Sequence, residues 1–94
     1  MVKIKWSKES IEDLIEIHHY ISQDSPHYAR VFIERIVEIT EHLEYFPAIG
    51  RRVPETDNPI IKEIFYRNYR IIYQIKSNIL EIITVIHGRR ILKI

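Results

Sequence analysis

Apolar and polar residues follow two different periods along this chain, and the change of period divides it into a helical half and a strand half. Between residues 8 and 45 the apolar positions recur every three or four residues, the spacing of amphipathic helices. From residue 61 to residue 87 they alternate with polar positions or form short runs, as strands do. A short alternating stretch, residues 2–6, precedes the helices. The pattern predicts the order β-α-α-β-β-β.

Two helices are predicted, over residues 8–22 and about 27–45. Ser7 and Ser25 are placed as N-caps, and Pro26 suits the first turn of the second helix. The residues expected to face the core on the two helices are Ile11, Leu14, Ile15, His18 and Ile21, then Ala29, Phe32, Ile33, Ile36, Ile39, Thr40 and Leu43.

Helices joined by a short break pack as an antiparallel hairpin. Val31 and Val37 lie outside the apolar stripe of the second helix, which predicts a second contact surface there.

Three strands are predicted in the second half, over residues 61–67, 69–76 and 79–87, with a tight turn at Ser77-Asn78. Tyr69, Ile71, Tyr73 and Ile75 share one face of the middle strand. Arg70 points to the opposite face, where its charge must reach solvent or an acceptor. The prediction is a single α+β domain over residues 1–94, a helical hairpin packed on a mostly antiparallel four-stranded sheet.

Composition excludes several kinds of chemistry. The 94 residues, 46% hydrophobic and 29% charged, are balanced as in an ordinary folded domain. No cysteine is present, and two glycines cannot form a glycine-rich phosphate loop. His18 and His19 are adjacent rather than four apart, so they do not form a helical metal pair. We therefore expect no metal and no cofactor, and a cytoplasmic protein because no stretch reads as a signal or a membrane span.

Charge is unevenly distributed although the net charge is only +1. Residues 1–50 hold five Lys and Arg against nine Asp and Glu, a balance of −4, and residues 51–94 hold nine against four, a balance of +5. Two readings stay open, namely two surfaces for different partners or simple solvation of two faces.

The basic half also carries the residues with candidate chemistry. Arginine forks match phosphate geometry, and tyrosine faces can stack on bases. The arginines are Arg67, Arg70, Arg89 and Arg90, interleaved with Tyr66, Tyr69 and Tyr73. Period-two alternation favours the alternative that Tyr69 and Tyr73 are core residues.

Four stretches in order resemble the RelE/ParE superfamily of toxins from toxin–antitoxin systems, and the first, second and fourth resemble its ParE, or plasmid-stabilisation, branch. They are WSKESIEDLIEIHHYISQDSP (6–26), LEYFPAIGRRVPE (43–55), YRIIYQI (69–75) and VIHGRR (85–90). The resemblance implies the β-α-α-β-β-β fold and a toxin that arrests growth until a cognate antitoxin neutralises it. ParE-type members poison DNA gyrase without known chemistry of their own, whereas RelE-type members cleave mRNA on the ribosome.

By that resemblance, Arg70 and Arg90 match basic residues of the ribonuclease site, and His87 matches a histidine that some related ribonucleases use. The chain departs from the ribonucleases on the first strand of the meander, where Ile61 and Glu63 stand in place of lysines. The ParE-like reading is favoured, with a ribosome-dependent mRNA endoribonuclease as the alternative.

An antitoxin or target surface is expected to combine apolar and positive groups that suit an acidic, partly disordered partner. The residues proposed for it are Val31, Val37, Arg67, Arg89 and Arg90. A third alternative is a module that binds an antitoxin without being toxic.

Overall fold

The computed structural model describes residues 1–93, which form two helices and five strands in the predicted order with one short strand added. The elements are β1 (Lys3–Trp6), α1 (Lys8–Ser22), α2 (Pro26–His42), β2 (Arg51–Arg52), β3 (Ile61–Tyr66), β4 (Tyr69–Lys76) and β5 (Ile79–His87). Ser7 and Ser25 cap the two helices as predicted, each side-chain oxygen accepting a backbone N–H three residues later.

The sheet has the order β1-β5-β4-β3-β2. β3, β4 and β5 form an antiparallel meander, and β1 pairs with β5 in parallel. Ser77 and Asn78 have φ angles of 51° and 65°, so the predicted tight turn between β4 and β5 is confirmed. The α+β class and the mostly antiparallel sheet are also confirmed. The four-strand prediction missed β2, because two residues are too few to show a period.

One core fills the space between the helical hairpin and the sheet. Its central side chains are fully or almost fully buried, namely Phe32, Ile36, Leu43, Ile71, Tyr73, Leu80 and Ile82. Tyr69 packs against this core, so the prediction that Tyr69 and Tyr73 are core residues is confirmed.

The predicted buried face of α1 is wrong in part. Ile11 and Ile15 are 48% and 63% exposed and His18 is exposed, whereas Ser10 and Ile17 are buried. The physical reason is a pair of hydrogen bonds to Asp13. Thr84 Oγ1 and the backbone N–H of Val85, next to a β-bulge in β5, both donate to its carboxylate. These bonds draw the Asp13 side of the helix toward β5 and rotate the apolar stripe outward.

Two element ends differ from the prediction. α2 ends at His42 rather than near residue 45, and the chain then continues through turns to Gly50. β3 ends at Tyr66, which places Arg67 in the two-residue turn before β4 with a φ of 54°. The side chain of Arg67 is therefore at a loop tip rather than on a strand face.

A second, smaller core lies on the sheet face opposite the helices. Val53, Ile61 and Ile72 form it, and Ile83 and Leu92 pack against it. The loop after β2 and the chain after β5 thus meet over this face. No helix within residues 1–93 has the length and apolar character to cross a membrane.

Candidate functional site

Arg70 lies at the centre of an ion-pair network on this second face. Its residue is 4% exposed, and its Nε donates to Glu63 Oε1 at 2.6 Å. Its Nη1 and Nη2 atoms donate to the two carboxylate oxygens of Glu55, each at 2.7 Å. A bidentate arginine–carboxylate pair is among the strongest polar contacts a protein makes. Arg70 is thus held by two acidic side chains at once.

Glu63 extends the network to a second arginine. It is 1% exposed, and its Oε2 accepts from Arg51 Nε at 2.6 Å while its Oε1 accepts from Arg70. The four side chains Arg51, Glu55, Glu63 and Arg70 carry no net charge together. The burial of Arg70 is therefore compensated within the protein.

The network also shifts protonation. Hydrogen bonds from Arg70, followed by that from the Leu92 N–H, lower the pKa of Glu55 from 4.5 to about 2. The same Glu55 pair is the main cause that raises the pKa of Arg70 above its ordinary value. Both groups are charged throughout the physiological range.

The chain that follows β5 is attached to this network through its backbone. Arg70 Nη1 donates to the carbonyl oxygen of Arg90 at 3.0 Å, and the N–H of Leu92 donates to Glu55 Oε2 at 3.0 Å. The side chains of Arg89 and Arg90 remain exposed.

An open cleft of about 480 Å³ lies where β3 and β5 end, beside the turn between β3 and β4. Its lining residues are Phe65, Arg67, Asn68, His87, Gly88 and Arg89. Among residues 1–93, Arg67 and Arg89 have no acidic partner within ion-pair distance. The Arg67 guanidinium lies over the Tyr66 ring, 5.8 Å from its centroid, and that of Arg51 lies over the Phe65 ring at 4.9 Å. The exposed Arg67 and Arg89 can bind an anion such as a phosphate or a carboxylate.

His87 lies between this cleft and a smaller one of about 200 Å³ that Arg90 lines with Asp13 and Glu16. The imidazole packs edge-on against the Tyr69 ring at 5.6 Å, and its Nδ1 accepts the N–H of Arg89 at 3.2 Å. A neutral ring in this arrangement carries its proton on Nε2, so that nitrogen can donate but cannot accept. The contacts of His87 are those of a ring that orders the turn after β5.

The candidate residues fall into four places. Arg67, His87 and Arg89 share the larger cleft, and Arg90 lines the smaller one. Arg70 lines neither cleft, because its guanidinium is engaged below the surface. Val31 and Val37 are half-buried on α2 and line neither cleft. The described residues contain no cluster of three His, Asp or Glu side chains suited to a metal ion.

Glu55 and Glu63 are the network residues that the sequence analysis did not identify as partners of Arg70. The available signal was the requirement of Arg70 for an acceptor on its face of the sheet. Glu63 lies on that face of the neighbouring strand, where Phe65 is paired with Arg70. Glu55 is on a loop, and no period points to it.

Comparison with solved structures shows that the fold is shared with chains from ParDE, RelBE2 and YoeB structures. A chain of the chromosomal ParDE toxin–antitoxin system of Pseudomonas aeruginosa matches with a TM-score of 0.76 and 21% identity, covering 93% of this chain and 96% of that one. A chain of the RelBE2 complex of Mycobacterium tuberculosis gives 0.66 and 17%, covering 92% and 96%. The YoeB dimer of Staphylococcus aureus gives 0.64 and 16%, covering 92% and 95%.

The sequence comparison is more specific than the structural one. No curated protein sequence gives a significant match. Residues 4–92 match the family described as the ParE toxin of the type II toxin–antitoxin system parDE. That match spans nearly the whole domain and agrees with the resemblance of the motifs, so this chain belongs to the ParE toxin family.

Proposed function

We propose that this protein is the toxin of a type II toxin–antitoxin pair and arrests growth by binding DNA gyrase, without chemistry of its own. The observation that carries the proposal is the sequestration of Arg70. The resemblance matches this arginine to a phosphate-binding residue of the ribonucleases, yet Glu55 and Glu63 occupy its guanidinium. A scissile phosphate would have to displace both carboxylates.

The position of Glu63 adds to this argument. It stands on β3, where the ribonucleases of the superfamily tend to carry lysines, and it supplies a negative charge in their place. Stabilising a phosphate in its transition state requires positive groups that face it. The buried carboxylate of Glu63 beside Arg70 would instead repel a phosphate.

The proposed target contact is the exposed basic corner after β5. Arg89 and Arg90 are exposed there and form no ion pair among the described residues, and Arg67 lines the same cleft as Arg89. Arginine is enriched among the residues that dominate binding energy at protein interfaces. We assign these three side chains to the surface of this protein that binds gyrase.

We also propose a cognate antitoxin with an acidic segment. The charge of the basic half and the half-buried Val31 and Val37 on α2 offer the two kinds of contact that a folding-on-binding segment uses. The RelBE2 neighbour of similar fold was solved as a toxin–antitoxin complex. An acidic protein that co-purifies stoichiometrically would support this partner.

The first test is gyrase supercoiling with purified protein. We expect the wild type to inhibit supercoiling, and Arg89→Ala and Arg90→Ala each to raise the concentration for half-inhibition about tenfold, the equivalent of about 1.4 kcal/mol. Arg90→Ala keeps the backbone carbonyl that Arg70 contacts. Arg35→Ala is the matched control, because Arg35 is an exposed arginine of α2 paired with Glu38.

Absence of any effect on gyrase at excess toxin would contradict the proposal. The cleft shared by Arg67, His87 and Arg89 favours the ribonuclease as the second candidate, since it brings a histidine and two cations together. In translating extracts the ribonuclease would cleave mRNA, and His87→Ala would abolish the cleavage. Induction without growth arrest would instead support the module that only binds an antitoxin.

A further inference from the structure

The chain after β5, residues 88–92 and here called the exit segment, has no regular secondary structure. Gly88 donates its N–H to the carbonyl of Asn68, and the N–H groups of Arg89 and Arg90 bond to His87, two or three residues back. Within the described residues, the distant polar contacts of positions 89–92 are those to Arg70 and Glu55. Beyond Gly88, the polar attachment of the exit segment to distant residues therefore runs through one ion pair.

We propose that Glu55 and Arg70 are positioning residues for target binding, which hold the exit segment so that the side chains of Arg89 and Arg90 face the target. This inference rests on the proposed function for the role of those two arginines. Neither Glu55 nor Arg70 touches the target itself. Their contribution passes through the backbone of the exit segment.

The geometry of the ion pair supports this role. Arg70 Nη1 contacts both Glu55 Oε2, at 2.7 Å, and the carbonyl of Arg90, at 3.0 Å. The same Oε2 accepts the N–H of Leu92 at 3.0 Å. Arg70 thus donates a hydrogen bond to the backbone just before Ile91, and Glu55 accepts one from the backbone just after it. A pair that served only to neutralise Arg70 would need neither backbone contact.

These backbone hydrogen bonds agree with the directions of the side chains in the exit segment. Leu92 packs inward on the small core of Val53, Ile61 and Ile72, while Arg89 and Arg90 are exposed. Ordering a chain before it binds lowers the entropy lost on association. An exit segment released from Glu55 would keep its arginines but lose their fixed placement.

Limited trypsin digestion tests whether Glu55 and Arg70 hold the exit segment, independently of any target. Trypsin cuts after arginine, and cleavage after Arg89 or Arg90 requires the exit segment to leave the sheet. Loss of the charge-assisted bonds in Glu55→Ala should accelerate these cuts about ten- to a hundredfold, with cuts in α1 and α2 little changed. Glu81→Ala is the matched control, because Glu81 lies on the same sheet but bonds to Gln74. Unchanged cleavage after Arg89 and Arg90 would overturn the proposal.

A double-mutant cycle then tests positioning rather than general support. In the gyrase assay Glu55→Ala should weaken inhibition about tenfold in the wild type and by less than twofold in a protein that already carries Arg89→Ala and Arg90→Ala. A purely structural loss would weaken both backgrounds equally, and that result would overturn the role. If the wild type has no gyrase activity, the proposed function fails while the digestion result stands.

A second pair of variants covers the case in which Glu55→Ala does not fold. Leu92→Ala keeps the backbone N–H that Glu55 accepts, whereas Leu92→Pro removes it without changing Arg70 or Glu55. Cleavage after Arg90 should be faster in the proline variant than in the alanine variant by about tenfold. Equal rates in the two variants would show that Glu55 does not hold the exit segment through that N–H.

Discussion

Arg70 lies on the sheet face opposite the helices and is 4% exposed, and its buried charge is tolerated because Glu55 and Glu63 accept its hydrogen bonds. The alternation along β4 predicts which face Arg70 occupies and that it needs an acceptor. The identity of the acceptors was not predictable, since they lie 7 and 15 residues away along the chain and no local rule joins them. Side-chain direction is thus readable from sequence, whereas a partner on a loop is not.

Acid should destabilise the protein through Glu55. The folded-state pKa of its carboxyl is lowered from 4.5 to about 2, so its stabilising contribution is complete above about pH 4.5 and is lost as the pH falls through about 2. The free energy of unfolding of the wild type should fall by on the order of 1–3 kcal/mol over this range. Chemical denaturation at several pH values should show a shallower decline in Glu55→Gln, and a slope equal to the wild type would contradict this assignment.

At the scale of the elements, Tyr73 connects β4 to the loop between α2 and β2. Its hydroxyl accepts the N–H of Gly50 at 2.9 Å and donates to the carbonyl of Pro47 at 2.8 Å. Burial raises the pKa of this phenol, so the hydroxyl keeps the proton that it donates. A Cβ on Gly50 would clash with the same oxygen and would lie 2.8 Å from the carbonyl oxygen of Glu63, so the close approach requires glycine.

Tyr73→Phe should therefore destabilise the protein by about 1–3 kcal/mol, because it leaves two backbone groups of a half-buried loop without partners. Thermal unfolding is the measurement. Tyr69→Phe is the matched control, since Tyr69 packs on the same core and no hydrogen bond of its hydroxyl is found among the described residues. A loss of stability equal to the control would show that the two bonds contribute nothing.

The helices show where a periodic pattern predicts well and where it fails. The apolar stripe of α2 is confirmed, because it is wide and centred on Ile36, which is fully buried. The stripe of α1 is narrower, and the polar bonds from Asp13 to the bulge in β5 fix its rotation instead. The spacing of apolar residues can predict that a helix packs on a sheet, but it cannot predict a polar contact such as that of Asp13, which changes the face that the helix buries.

At the scale of the whole molecule, the uneven charge corresponds to the two layers. Nine of the thirteen Asp and Glu lie before residue 51, on or beside the helical hairpin, whereas nine of the fourteen Lys and Arg lie after residue 50, on the sheet and its loops. The two open readings of this asymmetry differ in one respect. A binding surface attracts an oppositely charged partner over several ångströms, and mere solvation does not.

Salt should distinguish these readings. If the basic layer binds an acidic antitoxin, raising the salt concentration from about 50 to 500 mM should slow association about tenfold or more, with a smaller change in dissociation. Stopped-flow or surface-binding kinetics would measure both rates. The rate of association should lose most of its salt dependence in a variant that carries Arg67→Ala, Arg89→Ala and Arg90→Ala, and a salt-independent wild type would leave only solvation.

The parallel pairing of β1 with β5 has a consequence for how the protein is made. Lys3 is paired with Ile79 and Trp6 with Ile82, so the first strand to leave the ribosome must wait for the last one. β5 lies between β1 and β4 in the sheet and also contacts α1. Contacts between such distant positions form late, because closing the long intervening loop is slow. A nascent chain interrupted before β5 would lack both the site and the strand that β1, β4 and α1 contact, so incomplete synthesis cannot release the folded domain.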